Sequence, residues 1–126
     1  MDDPIELITA GLAVLIGRDP HELPDETLLT STEALFKAVD RIHGVISTQL
    51  QAMHVRDVTT GLRGRKPRAW LIEDLHLGYE MANRHMTVAK ALPTCPAVAG
   101  ALLDGDISLE HARNIIISVK KTPAEI

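Results

Sequence analysis

Residues 67–123 read PRAWLIEDLHLGYEMANRHMTVAKALPTCPAVAGALLDGDISLEHARNIIISVKKTP, four short helical patterns in succession, each punctuated where a helix starts or stops. Pro67 suits a first helical turn, where its missing N–H costs nothing. Trp70, Leu71 and Leu75 then form an apolar stripe at helical spacing. Gly78 interrupts, and a second amphipathic run follows with Ala82, Met86, Ala89 and Leu92 inward. Its opposite face carries Glu80, Asn83, Arg84, Thr87 and Lys90. Two helices divided by a short Gly-containing turn give the outline of a helix-turn-helix over residues 67–92. Leu92-Pro93 stops the second helix, and Pro96 opens a third with Val98, Ala101 and Leu102 apolar. Asp104-Gly105 closes it. Ser108 is placed to N-cap a fourth, whose Leu109, Ala112, Ile115, Ile116 and Val119 share one side until Pro123.

Upstream lies a basic loop, LRGRKPR, containing Arg63, Arg65, Lys66 and Arg68. Cations there are placed to clamp phosphates beside a groove entered by the second helix, Tyr79 to Ala91. The plain alternative is a solvated loop. On the helix, Asn83, Arg84, Thr87 and Lys90 suit base edges and phosphates, although Glu80 on the same face favours an ordinary exposed surface.

Before the loop, Thr30 and Glu33 supply a capping box for the longest helix, which the spacing carries to about Val58. Leu35, Val39, Ile42, Ile46, Leu50 and Met53 recur every three or four residues, near a heptad seam. The seam serves as ordinary core, or alternatively as a homodimer contact through this Leu35–Met53 helix. Residues 1–27 read as an N-terminal helix and an acidic linker. Asp3-Pro4 starts that helix, Gly17 ends it, and residues 17–27 hold two prolines and no apolar period.

Composition narrows the class. The 126 residues are 45% hydrophobic yet include one Trp, one Tyr and one Phe, which points to packed aliphatic helices. A net charge of −4 argues against a generally basic nucleic-acid binder, but the charge is uneven. Residues 1–60 hold 4 basic and 10 acidic side chains, and residues 61–126 hold 9 and 7. Any positive field therefore belongs to the second half. The single cysteine, Cys95, allows no internal disulfide and no Cys-based zinc site. The apolar run Leu12–Ile16 is too short to span a bilayer and no secretory signal precedes it, so no membrane partner and a cytoplasmic location are expected.

The six histidines lack metal-ligand spacing, and each reads as a surface or cap residue. No nucleophile–base–orienter grouping is present, so no catalytic residue, metal or cofactor is expected.

Trp70-Leu71, then Ala82, Ala89 and Leu92-Pro93, then the small apolar run to Gly105, Ile107-Ser108 and His111-Ala112-Arg113, resemble the domain of unknown function number 222. The resemblance covers residues 28–126, more tightly after Gly61. Its second half alone is also similar to the DNA-binding core of ParB-type partition proteins. The first resemblance implies the N-terminal region of actinobacterial repeat-family proteins, many of which carry an HNH endonuclease motif further on. That motif, with its paired histidines and Asn, lies downstream of the positions matched here. The chain stops at Ile126, consistent with a short member, a truncated copy or a piece of a longer nuclease. In the family the second-helix face is richer in arginine; here Met81, Asn83, His85 and Thr87 stand where charged residues are common.

The expected fold is all-α, a helical bundle with a helix-turn-helix-like unit and a long amphipathic helix. The expected function is a non-catalytic module that binds or targets duplex DNA through Arg63, Arg65, Lys66, Arg68, Asn83, Arg84, Thr87 and Lys90. The alternative is a helical protein–protein interaction or dimerisation module.

Overall fold

A computed structural model describes residues 3–121, without the Lys121 side chain. The expected stop at Pro123 lies outside the described residues. The described chain contains seven α-helices and no strand, so the all-α expectation holds. It divides into two compact units, residues 1–35 and 36–126.

In the first unit, α1 spans Pro4–Ile16. Asp3 caps it, its Oδ1 accepting from the Ile5 N–H at 3.0 Å, and Gly17 closes it by donating to the Ala13 carbonyl. Both ends are where Asp3-Pro4 and Gly17 put them. No residue of α1 is buried. The linker is more ordered than its composition suggests. Asp19 accepts from the His21 N–H and caps a 3-10 turn over Pro20–Glu22. Helix α2 then begins at Asp25 and runs to Arg56. The expected capping box is therefore overturned: Thr30 already lies inside the helix, and its hydroxyl donates back to the Glu26 carbonyl at 3.0 Å. Asp25 and Glu26 instead occupy the first turn, where carboxylates suit the positive end of the helix dipole.

In the second unit, α2 ends at Arg56, and Asp57 takes a left-handed conformation (φ 52°) before the short helix α3, Val58–Arg63. Gly64 (φ 71°) reverses the chain into α4, Pro67–Glu73, with Pro67 in its first turn. Leu75 falls beyond the end of α4 and is 49% exposed, so the expected Trp70–Leu71–Leu75 stripe loses its last member. Helix α5, Tyr79–Ala91, has the bounds its punctuation indicated. A 3-10 turn over Leu92–Thr94 leads to α6, Pro96–Asp104, closed by left-handed Gly105. Helix α7, Leu109–Lys121, opens with the Ser108 hydroxyl accepting from the His111 N–H at 3.0 Å.

Two hydrophobic clusters hold this unit together, and α5 contributes to both. Val88 and Ala91 pack with Val98 and Leu102 of α6 and Leu109, Ala112 and Ile116 of α7. Ala82, Met86 and Ala89 pack with Leu50 of α2 and Leu71 of α4. At 100° per residue these two sets lie on different sides of α5 and leave one arc for solvent. Gly44 lets α2 approach α6: a Cβ there would stand 3.1 Å from the Leu103 nitrogen.

The heptad seam of α2 is divided. Leu50 is 1% exposed, and Ile46 and Met53 pack against its cluster. Leu35, Val39 and Ile42 remain 40–46% exposed. Only the C-terminal part of the seam is core of this unit.

Candidate nucleic-acid interface

The solvent arc of α5 carries Tyr79, Glu80, Asn83, Thr87 and Lys90, with Arg84 at its edge. The helical spacing that sends Ala82, Met86 and Ala89 into one core dictates this arrangement. The structure thus brings the expected Asn83, Arg84, Thr87 and Lys90 to one side of one helix. Asn83, Arg84 and Thr87 are half-buried, while Lys90 is exposed.

The basic loop behaves less uniformly. Arg65 turns back onto α4 and its end, its Nε on the Glu73 carboxylate and its NH1 3.3 Å from Asp74 Oδ1. The hydrogen bond to Glu73, then the charges of Asp74 and Glu73, push its pKa further up. Lys66 lies 3.6 Å from Asp57 Oδ1. Arg63 donates to the neighbouring Leu62 carbonyl at 3.1 Å. Arg68, in the first turn of α4, donates to Asn83 Oδ1 at 2.7 Å. That bond ties the start of α4 to the exposed arc of α5 and leaves the Asn83 amide hydrogens as its remaining polar capacity.

Two open hollows flank this bond. One is lined by Tyr79, Glu80, Asn83, Arg84 and Thr87 of α5 together with Arg113 of α7. The other lies among His54, Lys66, Arg68, Met86 and Lys90, with Pro67 and Ala69 completing its wall. Asn83 lines the first and Arg68 the second, so their hydrogen bond stands on the boundary. Each hollow presents cations from two different helices. Arg113 and Tyr79 were not among the expected contact residues. The His111-Ala112-Arg113 run gives Arg113 no visible partner, and only the packing of α7 on α5 places it beside Arg84.

The histidines are not all superficial. His85 is 6% exposed, and its ring meets that of His43 edge-on, with centroids 5.5 Å apart. This corrects the expectation of a surface role, and it also removes His85 from the outward face. Position 85 follows Ala82 by nearly one turn and so points inward. Burial first, then His43 and Arg84, lower the His85 pKa, keeping the ring neutral near pH 7. Among the described residues no three His, Cys, Asp or Glu side chains gather as a metal would require. No described helix is long and apolar enough to cross a membrane.

The family model described as a domain of unknown function, DUF222, matches residues 29–126. No curated protein matches the chain, and no solved structure does. The match spans well over half of the chain and contains every helix from α3 onward with most of α2, so this protein belongs to the DUF222 family.

Proposed function

We propose that this chain is a DNA-binding or DNA-targeting module, non-catalytic by itself, in which α4 and α5 act as a helix-turn-helix and α5 enters a groove of duplex DNA. The observation that carries this reading is the Arg68–Asn83 bond. It joins the basic loop to the polar arc of α5 in one surface, with Lys90 and Thr87 on the same arc. Such a surface offers donors to base edges and cations to phosphates side by side. The first unit contributes one basic and eight acidic residues, which repel a duplex rather than attract it. The family resemblance implies that the catalytic HNH part belongs to a separate region of longer relatives.

The pairing of the loop refines which cations bear on binding. Arg65 and Lys66 already face carboxylates, whereas Arg68 holds a neutral amide and Lys90 has no carboxylate partner among the described residues. Each phosphate neutralised contributes about −0.9 to the slope of log K against log salt. Arg68→Ala together with Lys90→Ala should therefore reduce that slope by roughly two, and Arg65→Ala with Lys66→Ala by clearly less. Equal effects from the two pairs, measured by titration of a labelled duplex across salt concentrations, would place the contacts elsewhere.

A second reading, dimerisation, is favoured by the uncovered part of the α2 seam. Leu35, Val39 and Ile42 are 40–46% exposed. Sedimentation of the intact chain against Val39→Glu tests it, because a dimer held by this face would dissociate while the helical signal stays unchanged.

A further inference from the structure

We infer that the hollow between α5 and α7 is a phosphate-binding site, with the Arg84 and Arg113 guanidinium groups as its cationic walls. Among the described residues the Arg84 Nε is buried without a hydrogen-bond partner, and the acceptor that its NH1 finds is the thioether sulfur of Met81 at 3.4 Å. A thioether is a weak acceptor for a charged donor. Other arginines of this unit do better: Arg65 has two carboxylates, Arg68 an amide oxygen, and Arg41 the Leu103 carbonyl at 3.1 Å. The Nε itself is sealed from solvent, so what an anion in the hollow would meet is the terminal nitrogens of this half-buried cation, which have no anionic or carbonyl partner among the described residues.

The surroundings supply what an anion needs. Arg113 lines the same hollow from α7, and among the described residues its one hydrogen bond is a long one, 3.5 Å, to Asn114 Oδ1. Two arginines from different helices lining one hollow suit a tetrahedral oxyanion, which accepts from guanidinium N–H groups. Thr87 and Tyr79 add hydroxyls to the wall. The hollow also reaches the first turn of α5, whose N-cap is Gly78 with no side-chain hydrogen bond. Its leading N–H groups therefore add positive potential to that supplied by the arginines.

One group opposes the site. Glu80 lines the hollow, and its carboxylate lies outside ion-pair distance of both arginines. Its negative charge weakens the binding of any anion there without abolishing it. A phosphodiester of a nucleic-acid backbone and the phosphate of a small phosphorylated molecule share the required chemistry. This inference stands on the geometry of Arg84 and Arg113 and does not depend on the DNA reading.

The test uses the full chain labelled with ¹⁵N, observing the Arg84 and Arg113 Nε–H resonances by NMR. Inorganic phosphate, added at constant ionic strength against chloride, should shift both saturably. Arg113→Gln should weaken phosphate roughly tenfold, the loss of one charge-assisted contact, and Glu80→Gln should strengthen it. If Arg84 instead uses Glu80 as its solution partner, Glu80→Gln lowers thermal stability without improving phosphate binding, and the inference falls. Shifts that chloride reproduces, or that Arg113→Gln leaves untouched, overturn it as well. A duplex and a phosphorylated sugar added in competition separate the two sources of phosphate. Phosphate binding without duplex binding sinks the DNA reading and leaves the site standing. Duplex binding indifferent to both arginines, with no phosphate shift, does the reverse.

Discussion

Replacing Leu50 and Ile42 in turn separates the two parts of one helix face. Leu50 is 1% exposed and sits among Leu71, Ala82, Met86 and Ala89. Leu50→Ala removes buried methyl groups and leaves a cavity between α2, α4 and α5, at a cost of about 3–5 kcal/mol. Against a net stability of about 5–15 kcal/mol, that is a large share of the total. At about 4 °C per kcal/mol, the melting temperature should fall by roughly 10–20 °C. Ile42 lies on the same seam but is 40% exposed. An aspartate there reaches water, so the loss is limited to the covered part of the isoleucine, about 1–2 kcal/mol. A seam that was core along its whole length would unfold with Ile42→Asp, and one that was an interface would stay folded and lose its partner; the buried member of the seam is Leu50, not Ile42. Thermal melts followed by circular dichroism, with sedimentation alongside, decide the matter. An unfolded Ile42→Asp beside a nearly silent Leu50→Ala would refute the division of the seam.

Other consequences follow from single groups. Because the His85 pKa is lowered from its ordinary 6.5, the unfolded chain binds a proton between the folded value and 6.5 while the folded chain does not. Stability is therefore full above pH 6.5 and declines as the pH falls through that window; melts at pH 5 and 7.5 should differ in this sense, and His85→Gln should reduce the difference. Gly105 has φ +76°, and a Cβ there would stand 2.6 Å from the Lys37 Cγ, so Gly105→Ala should cost about 1–2 kcal/mol in chemical denaturation. The purified chain should leave plasmid DNA uncut with Mg²⁺, Mn²⁺ or Zn²⁺, and cleavage lost on a single His→Ala change would reveal an overlooked centre.

Much of the second unit was legible because its helix ends carry their own chemistry. Pro67, Gly78, Pro96, Gly105 and Ser108 each act locally, and the helices begin and end beside them. The start of α2 was not legible, since Thr30 and Glu33 satisfy a capping pattern that the helix overrides by back-bonding the Thr30 hydroxyl. Nor was the left-handed Asp57, which separates α2 from α3. At the candidate interface, periodicity gathered the α5 residues correctly but could not say which cations are already paired. Arg65 and Lys66 find acids that come close only through the fold, and Arg113 reaches the interface only because α7 packs on α5. His85 went unread as a buried residue because its partner, His43, lies on another helix.

Whether the proposed Arg68–Asn83–Lys90 surface binds duplex DNA is tested most directly by fluorescence anisotropy of the intact chain with a labelled duplex at two salt concentrations. Binding should appear at low ionic strength and weaken steeply with salt, with a slope reduced by about one when Lys90 becomes alanine. No salt-dependent binding even at low ionic strength would contradict it.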